Sequence, residues 1–388
     1  MAGLYIHIPF CASRCIYCGF YSTTHLDLRQ QYVDALCREM EMRPQASSGK
    51  SAENIVLGDF VAEPISTIYL GGGTPSQLTI PQLRQLFIYI NKVYPLTSSL
   101  PHPLTSNTEV TIEANPDDVT SEFAATLSQL GINRVSMGAQ TFDDSRLRFL
   151  HRRHTAAQVC EAVAILRKAG IRNISIDLMY GFPNETVTDF EHDIDAALAL
   201  NVEHISAYCL MIEEGTPLHQ MLHKGDGSRC VISNGITQME PSPLCEEETE
   251  RTMYELLIDK LTAAGYEHYE ISNFARPGFR SRHNSSYWHD IPYIGLGAAA
   301  HSYIGNSRQW NVADIHQYID AINKGRLPCE KEILDEDTHY NDRITTALRT
   351  SDGLDLSTLS EKHRRYCMHE AQPFLGNEML RLTNNHLF

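Results

Sequence analysis

The sequence predicts an α/β fold in which a parallel sheet curves into a complete or partial β/α barrel. Six short apolar, β-branched segments alternate with amphipathic segments along residues 1–211, and this alternation is typical of parallel strands joined by right-handed crossovers. Polar residues and glycines follow these segments where the strands should end. Because a β/α barrel carries its active site at the carboxyl ends of its strands, we expect a functional site on that rim.

Recognisable helix ends separate the six predicted strands. The strands cover residues 4–10, 66–72, 109–116, 134–140, 172–181 and 203–210. Thr120 and Thr155 each precede an amphipathic stretch and predict helix N-caps, and Thr188 with Glu191 predicts a further capping box.

Beyond residue 211 the alternation changes, so we expect three parts. Residues 1–211 form the barrel, and residues 212–334 extend it with a helix and the strands "HYEISNFA" and "YIGLGAAAHSYI". Residues 335–388 read as helix, helix and strand, which predicts a small winged-helix-like module. Two polar segments rich in Pro or Ser, 43–64 and 95–108, are interpreted as surface insertions.

Composition limits the classes of partner. The 388 residues carry a formal net charge of −16, which disfavours a broad nucleic-acid footprint. The basic stretch "RLRFLHRRH" (146–154) leaves a local basic patch and a solvated helix start as equal alternatives. No apolar run is long enough to span a membrane, so at most peripheral membrane contact is expected. The scattered cysteines and the absence of a secretory signal in the first ten residues predict a cytoplasmic protein.

Three cysteines, Cys11, Cys15 and Cys18, follow the first strand with the spacing C-x3-C-x2-C. Three thiolates on one loop can ligate three irons of a [4Fe–4S] cluster and leave the fourth iron open to another ligand. The alternatives are a zinc site that borrows a distant histidine, for which His7 is a candidate, and a redox dithiol.

With Tyr17 directly before the third cysteine, this motif resembles the signature of radical S-adenosylmethionine (SAM) enzymes. The resemblance implies a partial (β/α)6 barrel and a [4Fe–4S] cluster on the three cysteines. It also implies that SAM chelates the open iron and is cleaved to a 5′-deoxyadenosyl radical when the cluster is reduced.

Seven segments narrow the resemblance: "YIHIPFC", "YLGGGTPS", "TIEANPDD", "NRVSMGAQTFDD", "IDLMYGFP", "EISNFARPG" and "RHNSSYW". Together they resemble the oxygen-independent coproporphyrinogen III oxidases and their relatives, the HemW-type heme chaperones. The likeness runs from about residue 4 to 310. It implies a set of SAM-binding positions: Tyr5, Tyr17, Gly72, Gly73, Thr74, Glu113, Gln140, Arg152 and Asp177.

Three features favour the chaperone branch. The oxidases have a further cysteine at the place of Phe20, and they carry an extension before the first cysteine, whereas ten residues precede Cys11 here. The segment "HNSSYW" matches the HNxxYW motif that is associated with heme binding. The resemblance therefore implies four heme-binding residues, of which the histidine would ligate iron: His283, Asn284, Tyr287 and Trp288. The role of His301 in "GLGAAAHS" is left open.

The sequence thus predicts a heme chaperone that binds a [4Fe–4S] cluster, SAM and heme, and passes heme to an acceptor protein. The resemblance suggests a membrane-bound respiratory enzyme as acceptor. Two alternatives stay open: an oxidase that decarboxylates the propionates of coproporphyrinogen III, and a zinc-stabilised β/α binding protein. Whether the chain is an enzyme is therefore open. Related chains continue past "LTNNHLF", so the C-terminal module is expected to be incomplete.

Overall fold

The computed structural model describes residues 2–46, 65–94, 108–223 and 245–388, so most of both predicted insertions lies outside the described residues. The strands of the main sheet are β1 Ala2–Ile8, β2 Ile65–Gly72, β3 Glu109–Ala114, β4 Arg134–Gln140, β5 Asn173–Tyr180, β6 His204–Cys209, β7 Glu267–Glu270, β8 Asn273–Ala275, β9 Tyr293–Leu296, β10 His301–Ile304, β11 Ser307–Asn311 and β12 Cys329–Ile333. The helices are α1 Arg29–Ala46, α2 Ile80–Val93, α3 Ser121–Gln129, α4 Asp144–Phe149, α5 Ala156–Lys168, α6 Val187–Ala199, α7 Pro217–His223, α8 Glu247–Ala263, α9 Arg282–Trp288, α10 Ile315–Asn323, α11 Glu336–Ala347 and α12 Glu361–Gly376.

The first six strands are parallel and lie side by side in chain order, as predicted. Their outward residues, such as Leu4, Ile6 and Ile8 of β1, are fully buried in one apolar core shared with the helices. Successive residues of a strand point to opposite faces, so the intervening residues line the interior of the sheet's curve. That inner face is polar: Tyr5, His7, Thr67, Tyr69, Glu109, Thr111, Glu113, Arg134, Ser136, Ser175, Asp177, His204 and Ser206.

Residues beyond 211 extend the same sheet at both edges. β8 pairs antiparallel with β6, and β7 pairs antiparallel with β8. At the other edge β9 runs parallel to β1, and β10 to β12 follow antiparallel. The described strands thus form one open sheet of twelve, whose edges are β7 and β12. The six parallel strands are a partial barrel, and the predicted extension belongs to the barrel sheet.

Three local predictions were wrong. The segment "HYEISNFA" is two antiparallel strands, β7 and β8. The segment "YIGLGAAAHSYI" breaks after β9, because Gly297 and Ala299 have φ of 99° and 60° and turn the chain into β10. The cap of α6 is Thr186, which forms a capping box with Asp189; Thr188 lies within the helix.

The C-terminal residues form a second small sheet with its own apolar core. β13 Leu354–Asp355 lies between α11 and α12, and β14 Leu382–Thr383 and β15 His386–Leu387 form a final hairpin. The order helix, strand, helix, hairpin differs from the predicted helix, helix, strand by one strand between the helices and by the splitting of the last strand. Ion pairs join this module to the barrel, among them Arg343 with Asp290 at 2.7 Å and Arg349 with Glu270 at 2.7 Å.

In the described ranges, no helix is both long and apolar enough to cross a membrane.

Candidate functional site

The cysteine loop follows β1 at the carboxyl rim of the barrel, and backbone hydrogen bonds join its two ends. The Cys11 amide donates to the Thr23 carbonyl at 2.9 Å, and the Thr23 amide donates to the Pro9 carbonyl at 2.7 Å. Ile16 anchors the middle of the loop in a small apolar cluster with Leu150 and Phe182. The loop is therefore held in place by the apolar packing of Ile16 and by backbone hydrogen bonds that join its two ends.

The three thiols are half-buried and unoxidised. Thr74 Oγ1 donates to the Cys11 sulfur at 3.5 Å, and Arg152 Nη1 donates to the Cys15 sulfur at 3.6 Å. Burial raises the pKa of Cys11 and of Cys18, and the neighbouring Cys15 raises both further. The Cys18 amide also donates to the Cys15 carbonyl at 3.4 Å, so the last two cysteines lie on one tight turn. A metal cluster bound here would displace the protons of the thiols.

The end of β2 approaches β1 so closely that only glycine fits. The Gly73 amide donates to the Ile8 carbonyl at 2.9 Å, and a Cβ at this position would lie 2.7 Å from the backbone carbon of Pro9. Gly72 has φ of 109°, and a Cβ there would lie 2.4 Å from the His7 ring. The following Thr74 amide donates to the Phe10 carbonyl at 2.8 Å. The glycine motif therefore fixes the rim directly beside the cysteine loop.

Glu113 lies near the carboxyl end of β3, and its carboxylate accepts hydrogen bonds from two donors. Tyr69 donates its hydroxyl to Oε1 at 2.7 Å, and the Gly72 amide donates to Oε2 at 3.0 Å. Burial raises the pKa of Glu113 from its ordinary 4.5 to about 7. Asp177 in β5 is half-buried, desolvation raises its pKa, and Ser136 donates to it at 3.4 Å.

The Arg152 side chain extends from the segment after α4 to the carboxyl rim. Its Nη2 donates to Asn115 Oδ1 and to the Gly138 carbonyl, both at 2.7 Å, while Nε has no hydrogen-bond partner among the described residues. Next to it the ladder is irregular between Gly138 and Gln140, and Gln140 has φ of 68°. The rim thus brings together the half-buried Arg152 guanidinium, the carboxyls of Glu113 and Asp177, and the cysteine loop.

His7 and Tyr5 lie below this rim and are hydrogen bonded to each other. His7 Nε2 lies 3.1 Å from the Tyr21 carbonyl and therefore donates to it, so Nδ1 accepts from the Tyr5 hydroxyl at 2.9 Å. Burial lowers the pKa of His7 to about 4. Both ring nitrogens are engaged away from the cysteines. Within the described part of the chain, no three His, Cys, Asp or Glu side chains converge closely enough to hold a single metal ion.

The HNxxYW helix, α9, lies at the opposite end of the barrel. The backbone amides of Arg282 and His283 donate to the Glu109 carboxylate at the start of β3, at 3.0 and 2.9 Å. His283 is 1% exposed; its Nδ1 lies 2.8 Å from Thr67 Oγ1, and its Nε2 lies 3.0 Å from the Tyr287 hydroxyl. In this conformation neither ring nitrogen of His283 is presented to a porphyrin.

The rest of the motif is partly buried. Asn284 and Tyr287 are half-buried, and the half-buried Trp288 packs its ring 5.3 Å from the Arg349 guanidinium. The structure therefore gathers the predicted cofactor residues into two groups at the two ends of the barrel, with the cysteines in one and α9 in the other.

Several residues at these ends were not predicted from the sequence. Tyr69 holds Glu113, Asn115 holds Arg152, and Arg134 is buried in the interior, where its charge lowers the pKa of His283. Burial is the larger cause and, with Arg134, takes the pKa of His283 to about 3. Alternate polar residues within otherwise apolar strands were the available signal for Tyr69 and Arg134.

The basic stretch at 146–154 is partly neutralised by acidic neighbours. Arg146 pairs with Asp189 at 3.0 Å, and Arg153 pairs with Asp117 and Asp118 at 2.7 and 2.8 Å.

Comparison with known proteins identifies the family. The model of the Radical SAM superfamily matches residues 5–197. The chain is 35% identical over 367 residues to the heme chaperone HemW of Bacillus subtilis, covering 94% of this chain and 88% of that protein. It is 32% identical over 388 residues to the heme chaperone HemW of Lactococcus lactis, covering 99% and 89%. The chain belongs to the HemW family of radical SAM proteins.

A solved structure supports the fold of this HemW-family chain. The coproporphyrinogen III oxidase HemN from Escherichia coli, a radical SAM enzyme, superposes with a TM-score of 0.77 at 22% sequence identity, covering all of this chain and 85% of that one. The predicted radical SAM barrel and the predicted family are both confirmed. The likeness to HemN concerns the fold alone.

Proposed function

We propose that this HemW-family chain is a heme chaperone, which binds a [4Fe–4S] cluster, SAM and heme and delivers heme to an acceptor protein. The observation that carries the proposal is the similarity to the heme chaperone HemW of Lactococcus lactis along 99% of the chain, a length that includes both the cysteine rim and the HNxxYW helix.

The cysteine rim suits the cluster and SAM. Cys11, Cys15 and Cys18 would hold the cluster, and their C-x3-C-x2-C spacing on one loop fits three corners of such a group. When bound, the cluster and SAM supply one-electron redox chemistry. The proposed SAM-binding residues are those implied by the family motifs: Tyr5, Tyr17, Gly72, Gly73, Thr74, Glu113, Gln140, Arg152 and Asp177.

The chain's own side chains would bind and orient SAM. Nη2 of Arg152 already donates to two oxygens, whereas Nε has no hydrogen-bond partner among the described residues. The free Nε donor suits a carboxylate ligand. Glu113 and Asp177 offer acceptors for an ammonium group or ribose hydroxyls. The raised pKa of Glu113 means that a bound cation would help to ionise it.

Phe20 supports the chaperone over the oxidase. It stands two positions after Cys18, where the resemblance places a further cysteine in the oxidases, and its ring is 71% exposed. The heme acceptor is proposed to be a protein of the respiratory membrane, as the family resemblance suggests.

Anaerobic reconstitution with iron, sulfide and reductant tests the cluster. The wild type should become brown with visible cluster absorption, and Cys15→Ala should not. Cys160→Ala, which removes an exposed cysteine of α5, is the matched control and should behave as the wild type. A colourless protein that retains one zinc would contradict the proposal.

Hemin titration of the reconstituted protein tests the cargo. A shifted Soret band with saturable binding is expected, and the absence of any shift would contradict heme binding. An anaerobic assay with coproporphyrinogen III, SAM and reductant completes the test, because formation of protoporphyrinogen at enzymatic rates would assign the oxidase activity instead.

A further inference from the structure

A series of aromatic rings in contact enters the barrel from the end of the cysteine loop. Tyr21 follows Cys18 by three residues, and the centroid of its ring lies 6.2 Å from that of His7. The His7 ring lies 5.9 Å from the Tyr5 ring, which in turn lies 6.2 Å from the Tyr69 ring. These separations are typical of aromatic side chains in contact, so the rings form one path from the cysteine loop into the barrel.

The same series continues to the surface at the amino end of the barrel. The ring of His283 lies 5.1 Å from that of Tyr69, and the ring of Tyr287 lies 5.3 Å from that of His283. Tyr293 follows at 4.7 Å from Tyr287, and the half-buried Tyr303 at 6.4 Å from Tyr293. Since Tyr293 opens β9 and pairs with the start of β1, the ring contacts cross the barrel from the cysteine rim to its opposite end.

The two tyrosines of the barrel interior each have a proton acceptor at the hydroxyl group. Tyr5 donates to His7 Nδ1 at 2.9 Å, and Tyr69 donates to Glu113 Oε1 at 2.7 Å. A tyrosine loses an electron readily only when its hydroxyl proton can move to such an acceptor, because the protonated tyrosyl radical is a very strong acid. Phenylalanine would fill the same space but would lack this chemistry.

The outer tyrosines also have acceptors. The Tyr287 hydroxyl lies 3.0 Å from His283 Nε2, and Thr67 Oγ1 lies 2.8 Å from His283 Nδ1. With its proton on Nδ1, the neutral imidazole donates to Thr67 and accepts from Tyr287. At the surface, Tyr303 donates to the Asp290 carboxylate. Hydrogen-bonded acceptors therefore accompany the series from the interior to its outer end.

We propose that these tyrosines form a path that carries oxidising equivalents from the cysteine rim to the surface of the protein, where a small thiol removes them. The members of this tyrosine path are Tyr21, Tyr5, Tyr69, Tyr287, Tyr293 and Tyr303. The oxidant is an organic radical or another strong one-electron oxidant formed at the rim. The tyrosine path protects the residues of the rim, because the oxidising equivalent leaves before it damages them.

Each transfer along the tyrosine path moves one electron towards the rim. A tyrosine that loses an electron passes its hydroxyl proton to its acceptor, and it regains both when the next tyrosine outward is oxidised in its place. Tyr21 and Tyr293 join their neighbours by ring contact. At Tyr303 the last electron comes from the thiol, which releases its proton to solvent and becomes a thiyl radical; two thiyl radicals then combine to a disulfide. The oxidant has gained one electron, the thiol has lost one, and no proton is displaced within the protein.

Flash photolysis of the full chain with a ruthenium label tests the inference and supplies its own oxidant, so the result does not depend on the proposed function. A thiol-reactive ruthenium tris(bipyridyl) complex is attached to Phe20→Cys, next to Tyr21, in a chain whose other reactive cysteines are replaced by serine. Phe20 is exposed and accessible to the label. Light and a soluble quencher convert the complex into a one-electron oxidant. A tyrosyl radical should appear by electron paramagnetic resonance, and a nitroso spin trap should mark Tyr303 in peptide mass spectrometry.

Substitutions within the tyrosine path should interrupt it. Tyr287→Phe and Tyr293→Phe should each lower the yield of trapped Tyr303 at least about tenfold, since phenylalanine is much harder to oxidise. The trap should then mark a tyrosine nearer the label. Tyr89→Phe, which removes a half-buried tyrosine of α2 outside the tyrosine path, is the matched control and should leave the yield unchanged. With 3-aminotyrosine in place of Tyr287, an aminotyrosyl radical should form there, which a merely structural role would not predict.

The outcomes decide the inference. Loss of the Tyr303 adduct in either folded phenylalanine variant supports it, with folding checked by circular dichroism. A yield that persists unchanged in both folded variants overturns it, as does trapping confined to Tyr17 of the cysteine loop in the parent chain. If the phenylalanine variants do not fold, the aminotyrosine protein decides, and absence of its radical overturns the inference. Cluster reconstitution and hemin titration test the proposed function separately.

Discussion

At the scale of single residues, Gly72 combines two constraints on the carboxyl rim. Its φ of 109° is a conformation that other residues rarely adopt, and its α-carbon faces the His7 ring. Gly170 at the end of α5 shares the first constraint, with φ of 89°, but nothing lies within 4 Å of its missing Cβ. The two glycines therefore separate the cost of backbone conformation from the cost of a steric clash.

We expect Gly170→Ala to lower the free energy of unfolding by about 1–2 kcal/mol, because only the left-handed backbone is penalised. Gly72→Ala should cost clearly more, since the methyl group must also displace the His7 ring. Urea unfolding of both variants checks this, and equal losses would show that His7 moves aside freely.

Glu113 should make the stability of the cofactor-free protein depend on pH. Its pKa is about 7 when folded and near 4.5 when unfolded, so the folded state binds the proton more tightly. Stability from this group is present below about pH 4.5 and is lost as the pH rises through about 7, by up to about 3 kcal/mol. Unfolding in urea at pH 5 and pH 8 should show a larger loss in the wild type than in Glu113→Gln. The variant should keep the part that comes from Glu185, because burial raises the pKa of that carboxyl to about 7 as well. The exposed Glu122→Gln should keep the wild-type pH dependence.

Residue types could be predicted from the sequence more readily than their accessibility. The cysteines and glycines of the rim are recognisable because their chemistry and spacing are local. The burial of His283 is not, because its partners Thr67 and Glu109 lie in distant strands and nothing near the HNxxYW motif marks them.

At the scale of elements, α6 shows why capping signals are ambiguous. Two overlapping patterns, offset by two residues, both fit a capping box. One is Thr186 with Asp189, and the other is Thr188 with Glu191. The structure uses the first, in which the Thr186 side chain accepts from the Asp189 amide and Asp189 accepts from the Thr186 amide at 2.9 Å. The preceding Glu185 accepts from the Gly181 and Phe182 amides, which fixes where the chain can enter the helix.

Thr186→Ala should therefore lower the free energy of unfolding by about 1 kcal/mol, as is usual for the loss of an N-cap. Thr188→Ala is the control on the same helix, and its effect should be small because alanine is favourable inside a helix. Thermal unfolding of the pair distinguishes the two registers; a larger loss in Thr188→Ala would contradict the observed cap.

At the scale of the whole molecule, one buried carboxylate joins the beginning of the chain to its last third. Glu39 of α1 accepts from Arg43 at 2.6 Å and from Asn311 of β11 at 2.8 Å. Its other oxygen accepts from the Gly297 amide at 2.8 Å and from the Tyr318 hydroxyl at 2.6 Å. The glycine-rich turn after β9 thus binds an internal carboxylate of the protein.

Glu39→Ala should destabilise the protein by about 3–5 kcal/mol, because a buried guanidinium loses its carboxylate partner. Glu41→Ala, on the same helix, removes an exposed pair with Lys92 and should change the unfolding curve little. Guanidinium-induced unfolding of both variants measures the difference, and similar midpoints would contradict a central role for Glu39.

The strand order was only half predictable. Consecutive parallel strands with helical crossovers follow from the alternation in residues 1–211, and that half agrees with the structure. The pairing of β9 with β1 has no local signature, since it joins two segments that lie far apart in the sequence.

This pairing has a consequence for how the protein is made. During synthesis β1 emerges first, yet its partner β9 begins 285 residues after β1 ends. At about 5–20 residues per second, that edge of β1 lacks its β9 partner for roughly 15 to 60 s on the ribosome. The strand that carries the cysteine loop is therefore the one most dependent on protection from premature association while the rest of the chain is still being translated.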